Sequence, residues 1–400
     1  MRYVSLIGTP HVARLLVGAF VGRLPTGMAA LAISLALRRA GAVYGFVGLA
    51  VGTYAIAVAL GAPLLGRLVD RLGQPRVLVP TAVLAAAGFV AVALAPRVPA
   101  VVLLGAALAG VATPPIEPAV RVLWPRIVPA DRVQAAYALD SAVQELIFVS
   151  GPLVVAGCVA LGSPVGALWV AAALGALGVA VVTSTAPSRA WRAQHRSTDW
   201  LGPLRHTGLA VLLVALSGMG FAIGTFNVLV VSYAEGHRLP GGAATLLTLN
   251  ATGALLGVLG YGAVTWRAAA ATQALSCAAG LTLAYGLLPL LPAPPVMAVL
   301  VLLTGVFFAP LLTVTFALIG ELAPPGTTAE AFAWLVTLFG LGNSLGSAVA
   351  GIVLQHAGQR WAAACAGLGA GACLVVLALA FRLLARAPRV LAMSSTGGSE

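Results

Sequence analysis

The sequence has no lysine: all 22 of its basic residues are arginines, and they are set against ten acidic residues. A nucleotide-binding loop of the type Gly-x-x-x-x-Gly-Lys-Ser/Thr needs a lysine that reaches the phosphates. The absence of lysine therefore excludes a pump driven by ATP bound in such a loop on this chain.

Charge of either sign is also scarce. Only 8% of the residues are charged and 60% are apolar, whereas soluble domains carry about 25% charged residues. The apolar residues come in runs of about 20, the length that crosses a bilayer, so a water-soluble protein is excluded. The net charge of +12 does not indicate nucleic-acid binding, because the arginines are scattered singly between apolar runs, as in the flanks of membrane helices.

Cysteine and histidine are few, and neither is placed for chemistry. The four cysteines lie inside apolar runs, where cysteine acts as a small hydrophobic residue, and their spacing predicts neither disulfides nor a metal site. The five histidines lie at the ends of spans or in loops, which argues against proton transfer by histidine inside the membrane. No cluster of His, Asp or Cys marks a membrane edge, so we expect neither a metal nor an enzymatic activity.

Twelve apolar segments are long enough to be membrane helices, and the longest polar stretch, 186–206, lies in the middle of the chain. We therefore predict an all-α integral membrane protein with two six-helix halves, 1–186 and 207–386, joined by a linker at 187–206. Residues 387–400 are expected to form a disordered cytoplasmic tail. The expected helices lie near residues 12–36, 43–68, 77–96, 99–123, 134–160, 165–185, 207–233, 242–265, 270–290, 295–319, 328–355 and 361–384.

The distribution of arginine predicts the orientation. If the N-terminus is cytoplasmic, fifteen arginines fall in loops and tails on the cytoplasmic side and five on the other side. Basic residues favour cytoplasmic loops, so both termini are expected in the cytoplasm. The first apolar run is too long for a signal peptide and has no cleavage site, so it should stay in the membrane. The absence of lysine, with abundant Ala, Gly and Arg, is typical of a GC-rich genome and favours the cell membrane of a bacterium.

The two halves resemble each other at an offset of 195 or 196 residues. The segment GVATPP at 110–115 falls on GVFFAP at 305–310, and Gly66 falls on Gly262. Two parallel six-helix repeats, related by an axis along the membrane normal, are the architecture of one large class of transporters.

A charge cluster in the sequence LGRLVDRLGQPR resembles the loop motif between helices 2 and 3 of the major facilitator superfamily. Gln74 and Pro75 interrupt the paired basic residues of that motif, and the second-half copy has Trp266 at the position of the aspartate. The resemblance covers essentially the whole chain. It implies a twelve-helix transporter of small molecules that works by alternating access without a cofactor, and we expect a monomer among membrane lipids that uses a proton gradient. The residues that match the motif are Gly66, Asp70, Arg71, Gly73 and Arg76.

The position of Asp70 predicts a contact between the two halves. Gly66 allows close approach of helix 2 to a neighbour, and the segment from Thr327 to Glu330 has the sequence of a capping box at the N-terminus of helix 11. A carboxylate is attracted to a helix N-terminus, so Asp70 is expected to hold helix 11 on the cytoplasmic side. The resemblance implies that this motif stabilises the outward-facing state; the alternative is a loop whose charges serve only to set orientation.

Ionisable residues inside the membrane are costly and indicate functional sites. Arg23, beside Pro25 and the kink expected there, lies roughly 14 Å inside, and Glu145 lies roughly 20 Å inside, counted along their helices. Arg23 is a candidate partner for Glu145; a purely structural, paired Arg23 is the alternative. Asp140 is shallower and is rotated by about 140° from Glu145 around helix 5, so the two cannot face one point. We favour Glu145 as the proton carrier, with Asp140 as the second candidate.

Four further residues are expected to support helix packing. Glu117 and Arg121 are four apart on helix 4 and can form an ion pair near its inner end, a role that we favour over substrate contact. Gly342 and Gly346 form a small-residue packing face on helix 11.

Gly151 and Pro152 on helix 5 resemble the Gly-Pro signature of drug/proton antiporters; an ordinary proline kink is the alternative. Most of the glycines that flank this signature in the antiporters are replaced here by Val and Ala. A largely apolar cavity with few charges suits small amphipathic compounds, and we expect a proton-coupled exporter of a drug, antibiotic or secondary metabolite. An importer or a sugar-type facilitator of the same fold is the alternative. A membrane sensor would be expected to add a soluble domain.

Overall fold

The computed structural model describes residues 2–192, 202–240, 242–264 and 266–385, and the regular elements within these ranges are helices. Twelve of them are long and apolar enough to cross a membrane, counting the broken fourth span as one, which confirms the predicted number of spans. The expected tail at 387–400 and the middle of the expected linker lie outside the described residues. Numbered by span, the helices are α1 Val12–Arg39, α2 Tyr44–Leu72, α3 Gln74–Leu94, α4a Pro99–Val111, α4b Ile116–Arg121, α4c Trp124–Ile127, α5 Val133–Ala160, α6 Gly166–Thr183, α7 Thr207–Gly236, α8 Ala243–Ala263, α9 Ala270–Leu287, α10 Pro294–Leu322, α11 Thr328–His356 and α12 Gln359–Leu379.

The prediction of one continuous helix at 99–123 is wrong, because span 4 is broken. Pro114 and Pro115 separate α4a from α4b, which is only 6 residues long. Neither proline has a backbone N–H for the helical ladder, and each disfavours helical conformation in the residue before it. The two charged residues of α4b, Glu117 and Arg121, therefore sit on a short helix that does not simply continue α4a. By contrast, α1 and α5 continue without interruption through their internal prolines.

Glycines bring several spans into backbone contact. A Cβ added to Gly342 of α11 would lie 2.1 Å from the Ser217 carbonyl oxygen of α7, and one added to Gly346 would lie 2.0 Å from the Phe221 carbonyl oxygen. A Cβ on Gly151 of α5 would likewise lie 2.6 Å from the backbone of α1. Larger residues at these positions would force the helices apart, which is the packing expected of small-residue faces in membranes.

The helices alternate in direction, so α1 begins and α12 ends on the same side, here called the terminal face; the other side is the opposite face. The first six spans meet the last six where α2 packs on α11 and where α5 packs on α8 and α10. On the seam between α2 and α11, the Thr337 hydroxyl donates a hydrogen bond to the Ala59 carbonyl at 3.1 Å. Gly52 and Ser344 lie seven residues from Ala59 and Thr337, toward the opposite face and on nearly the same side of their helices. A Cβ on Gly52 would meet nothing within 4 Å, and Ser344 is exposed. The two groups of spans therefore touch near the terminal face and part toward the opposite face, leaving an opening between them that we call the gap.

Candidate functional site

Asp70 joins the two groups of spans at the terminal face. Its carboxylate, at the end of α2, accepts hydrogen bonds from the backbone N–H groups of Ala329 at 3.2 Å and Glu330 at 2.8 Å in the first turn of α11. One turn earlier, a Cβ on Gly66 would lie 2.7 Å from the Ala333 methyl group, so only glycine allows α2 to come this close. Asp70 is 4% exposed, and a carboxylate bound to two N–H groups at a helix N-terminus is a charge-assisted contact. The structure thus contains the contact that the sequence predicts, which we call the Asp70 latch.

The expected capping box at the start of α11 is wrong. Thr327 caps nothing with its side chain; its hydroxyl donates instead to the Pro324 carbonyl at 2.8 Å. The backbone N–H of Glu330 that such a cap would bind is taken by Asp70. A charged acceptor forms a stronger hydrogen bond than a hydroxyl, so a residue of the first six spans does the work of a local cap.

The turn that follows the latch is tight and fixed. Only Gly73 separates α2 from α3, and its φ of 89° lies in the left-handed region that glycine adopts readily. Next to it, Gln74 is buried and donates a hydrogen bond to the Ala119 carbonyl of α4b at 2.7 Å. Gln74, which replaces one of the paired basic residues of the loop motif, therefore connects α3 to α4b. Arg71 and Arg76, the other basic members of the motif, have exposed side chains.

A network of four charges lies buried among α1, α4b and α5. Arg23 contacts Glu117 at 2.8 Å and Asp140 at 3.6 Å, and Arg121 contacts Glu117 at 2.5 Å and Asp140 at 2.7 Å. Arg23, Arg121 and Asp140 are almost fully buried. Two positive and two negative charges cancel, which is how a low-dielectric interior tolerates them. We call these four residues the charge network.

The expectation that Arg23 could pair with Glu145 is wrong, because Arg23 forms ion pairs with Glu117 and Asp140 instead. Glu117 and Arg121 do form an ion pair four residues apart, but the pair is half of a larger network rather than a separate support for helix 4. Sequence reasoning missed this grouping. The signal available was the presence of two arginines and two acids at similar depth in three neighbouring spans.

The charge network contacts an aromatic cluster that joins α5 of the first six spans to α10 and α11 of the last six. The guanidinium carbon of Arg121 lies 3.5 Å from the ring centre of Phe316 of α10, a cation–π contact. The ring centres of Tyr137, Phe316 and Phe332, from α5, α10 and α11, lie 6.2 to 6.4 Å from one another. All three rings are buried and lie in the terminal half of their helices. We call these three residues the aromatic seal.

Glu145 lies apart from the charge network, at the floor of the gap. One turn earlier on α5, the Ser141 hydroxyl lies 3.0 Å from the Thr313 hydroxyl of α10, where the two groups of spans still touch. One turn later, Phe148 is 58% exposed. Glu145 itself is half-buried, and no hydrogen bond or ion pair joins it to any other residue that the structure describes.

The family model described as Major Facilitator Superfamily matches residues 15–301, and no curated protein sequence matches the chain. A bacterial homologue of the iron transporter ferroportin, solved in an outward-facing state, is 14% identical with a TM-score of 0.76, over 93% of this chain and 99% of that chain. The proton:xylose symporter is 14% identical with a TM-score of 0.74, over 94% and 96% of the two chains.

The human organic anion transporter is also similar, with 16% identity and a TM-score of 0.71 over 93% of this chain and 98% of that chain. At such identities the likeness shows a shared fold and carries no information on substrate.

Proposed function

The chain belongs to the Major Facilitator Superfamily, and we propose that it is a proton-coupled exporter of small amphipathic compounds that works by alternating access. Membership of the family makes it a membrane transporter of small molecules. The direction of transport, the substrate class and the coupling ion are the proposal.

The gap that opens at only one face supports alternating access. The Asp70 latch and the aromatic seal close the terminal face, and both must separate before that face can open, because each joins a residue of the first six spans to α11. The excess of arginine predicted for the terminal side supports placing it in the cytoplasm. In that orientation the described state is open to the outside.

Glu145 is the residue that we propose to carry the proton, and its isolation is the observation that carries the proposal. Glu117 and Asp140 are each held by both arginines of the charge network, so neutralising either one disturbs a buried set of ion pairs. Glu145 has no such partner and borders the gap. Asp140 is the second candidate, because its Oδ1 accepts no hydrogen bond from the described residues.

An inward proton gradient would drive export through Glu145. In the state open to the outside, protonation of the carboxylate favours release of the substrate. After the two groups of spans swing, loss of the proton to the cytoplasm restores the charge and prepares the site for the next substrate molecule. Gly151 and Pro152, one to two turns from Glu145 on the same helix, support this role through their likeness to the antiporter signature.

A transport assay tests the proposal. Inverted membrane vesicles that contain the protein are given an acidic interior, and the uptake of a panel of lipophilic cations and neutral metabolites is followed. We expect uptake that collapses with a protonophore and falls at least tenfold in Glu145→Gln. Glu235→Gln, which removes an exposed carboxylate at the end of α7, is the matched control and should behave like the wild type.

Two results would contradict the proposal. Uptake that is unchanged when the gradient is absent would rule out proton coupling. Loss of compound from preloaded vesicles, driven by the same gradient, would show a proton-driven importer of the same fold instead.

A further inference from the structure

The acidic residues inside the spans do not balance the basic ones. Glu117, Asp140 and Glu145 lie in the interior of their spans, and the first two are neutralised by Arg23 and Arg121. Glu145 is left next to the gap without a basic residue, among those that the structure describes, to neutralise its carboxylate. An isolated carboxylate in such a setting is costly unless a proton or a cation joins it.

Within the part of the chain that the structure describes, the neighbouring helices offer Glu145 no partner. Among the elements packed against α5, α6 and α8 contain no charged residue. Arg23 on α1 is already paired, and Asp140 on α5 faces the charge network. Five of the remaining charged residues of these elements lie toward the terminal face, away from the depth of Glu145: Arg14, Arg126, Asp131, Arg132 and Glu321. Arg38 and Arg39 lie at the other end of α1, 11 and 12 residues beyond Gly27, which packs on Ile147 of α5, and are therefore about 16–18 Å along the helix from that level.

The surroundings of Glu145 are apolar and aromatic. Phe148 is 58% exposed and lies seven residues from Ser141, so it is on the side of α5 that faces α10. Phe308 of α10 stacks on Phe339 of α11 with ring centres 6.0 Å apart. Glu145 and Phe308 lie four and five residues from the Ser141–Thr313 contact, so both are about 6–8 Å above it. Aromatic faces attract cations and offer apolar contact, whereas an anion would meet no free arginine at this depth.

We propose that Glu145 binds the positive charge of the substrate, and that the transported compounds are lipophilic monocations with an aromatic or branched apolar body. This inference rests on the proposed function and adds the substrate class to it. One carboxylate cannot hold a proton and a cation together, so the two compete for Glu145. The exchange of one proton for one monocation then moves no net charge across the membrane.

A pair of ions of the same shape and opposite charge tests the proposal. Equilibrium binding of tetraphenylphosphonium and tetraphenylborate is measured on the purified full-length protein in detergent. We expect the phosphonium to bind the wild type at least tenfold more tightly than the borate does. Its affinity should fall as the pH is lowered, because protons displace it, and should not depend on pH in Glu145→Gln.

Three variants separate the site from the fold. Glu145→Gln should weaken phosphonium binding at least tenfold, Glu145→Asp should retain most of it, and Glu235→Gln should match the wild type. Size-exclusion profiles and melting temperatures identify any variant that fails to fold. If Glu145→Gln fails to fold, the comparison of Glu145→Asp with the wild type still tests the site, because Glu145→Asp keeps the carboxylate. Equal phosphonium binding by wild type and Glu145→Gln, or borate binding as tight as phosphonium binding, would overturn the inference.

Failure of the inference can be told from failure of the proposed function. If neutral compounds are exported under a pH gradient while phosphonium binding ignores Glu145, the substrate class is wrong and proton coupling stands. If phosphonium binds through Glu145 but no compound responds to a pH gradient, the cation site stands and proton coupling is wrong.

Discussion

Individual residues of the charge network depend on one another because their charges cancel only as a set. Sequence reasoning could place Arg23 and Asp140 inside the membrane and could pair Glu117 with Arg121, since burial and helical spacing are local properties. It could not join the two halves of the network, because that contact depends on how α1, α4b and α5 meet after the break in span 4. The rotation between Asp140 and Glu145 around one helix was predictable, and it correctly kept the two acids apart.

Asp140→Asn should lower the free energy of unfolding by about 3–5 kcal/mol, because it leaves two buried guanidinium groups with one carboxylate. The double variant Arg121→Gln/Asp140→Asn restores neutrality and should lose less stability than the sum of the two single variants. Thermal unfolding of the purified protein in detergent measures all three. Asp131→Asn removes an exposed carboxylate and should have little effect; additive losses for the network pair would show that its members act separately.

Among the helices, the contact of α2 with α11 was the best predicted feature and the continuity of span 4 the worst. The latch was predictable because a carboxylate at one helix end and free N–H groups at another attract each other wherever they meet. Span 4 was predicted from its apolar content, which says nothing about the missing N–H groups of two adjacent prolines. The capping box failed for a similar reason: a local pattern competes with distant acceptors that the sequence does not reveal.

Asp70→Asn should shift the conformational balance away from the state that is closed at the terminal face. It removes a full charge from the N-terminus of α11, an effect worth about 1–2 kcal/mol and hence roughly fivefold to thirtyfold in population. A single cysteine at Ser344 in a cysteine-free background reports on the gap: its labelling rate should fall as the gap closes. Asp131→Asn, with its exposed side chain, is the control, and an unchanged labelling rate in Asp70→Asn would refute the gating role of the latch.

On the scale of the whole molecule, the two similar halves meet along two seams that are held together differently: α2 packs on α11, and α5 packs on α8 and α10. Trp266, which occupies the position related to Asp70, donates a hydrogen bond to the Tyr261 carbonyl at 2.9 Å, and the Tyr261 hydroxyl contacts Gln273. Across the seam, the Gln134 amide donates to Gln273 at 3.2 Å. One seam is therefore closed by a charge on a helix end and the other by neutral hydrogen bonds. The halves share a fold, but the charged contact at the terminal face belongs to one seam.

Closure of the terminal face also depends on the aromatic seal, which separates the gap from that side. Phe316→Ala should open a leak, because it removes the ring beneath Arg121 and leaves space beside polar groups that water can enter. The passive decay of a pH gradient in proteoliposomes should become several-fold faster than in the wild type. Phe316→Leu keeps much of the packing, so it should fold normally and give an intermediate rate. Trp169→Ala removes an exposed ring on α6 and should leave the decay unchanged. If the pH gradient decays at the wild-type rate with both Phe316 variants, the barrier at the terminal face is formed by other residues. The cation–π contact with Arg121 then contributes to stability alone.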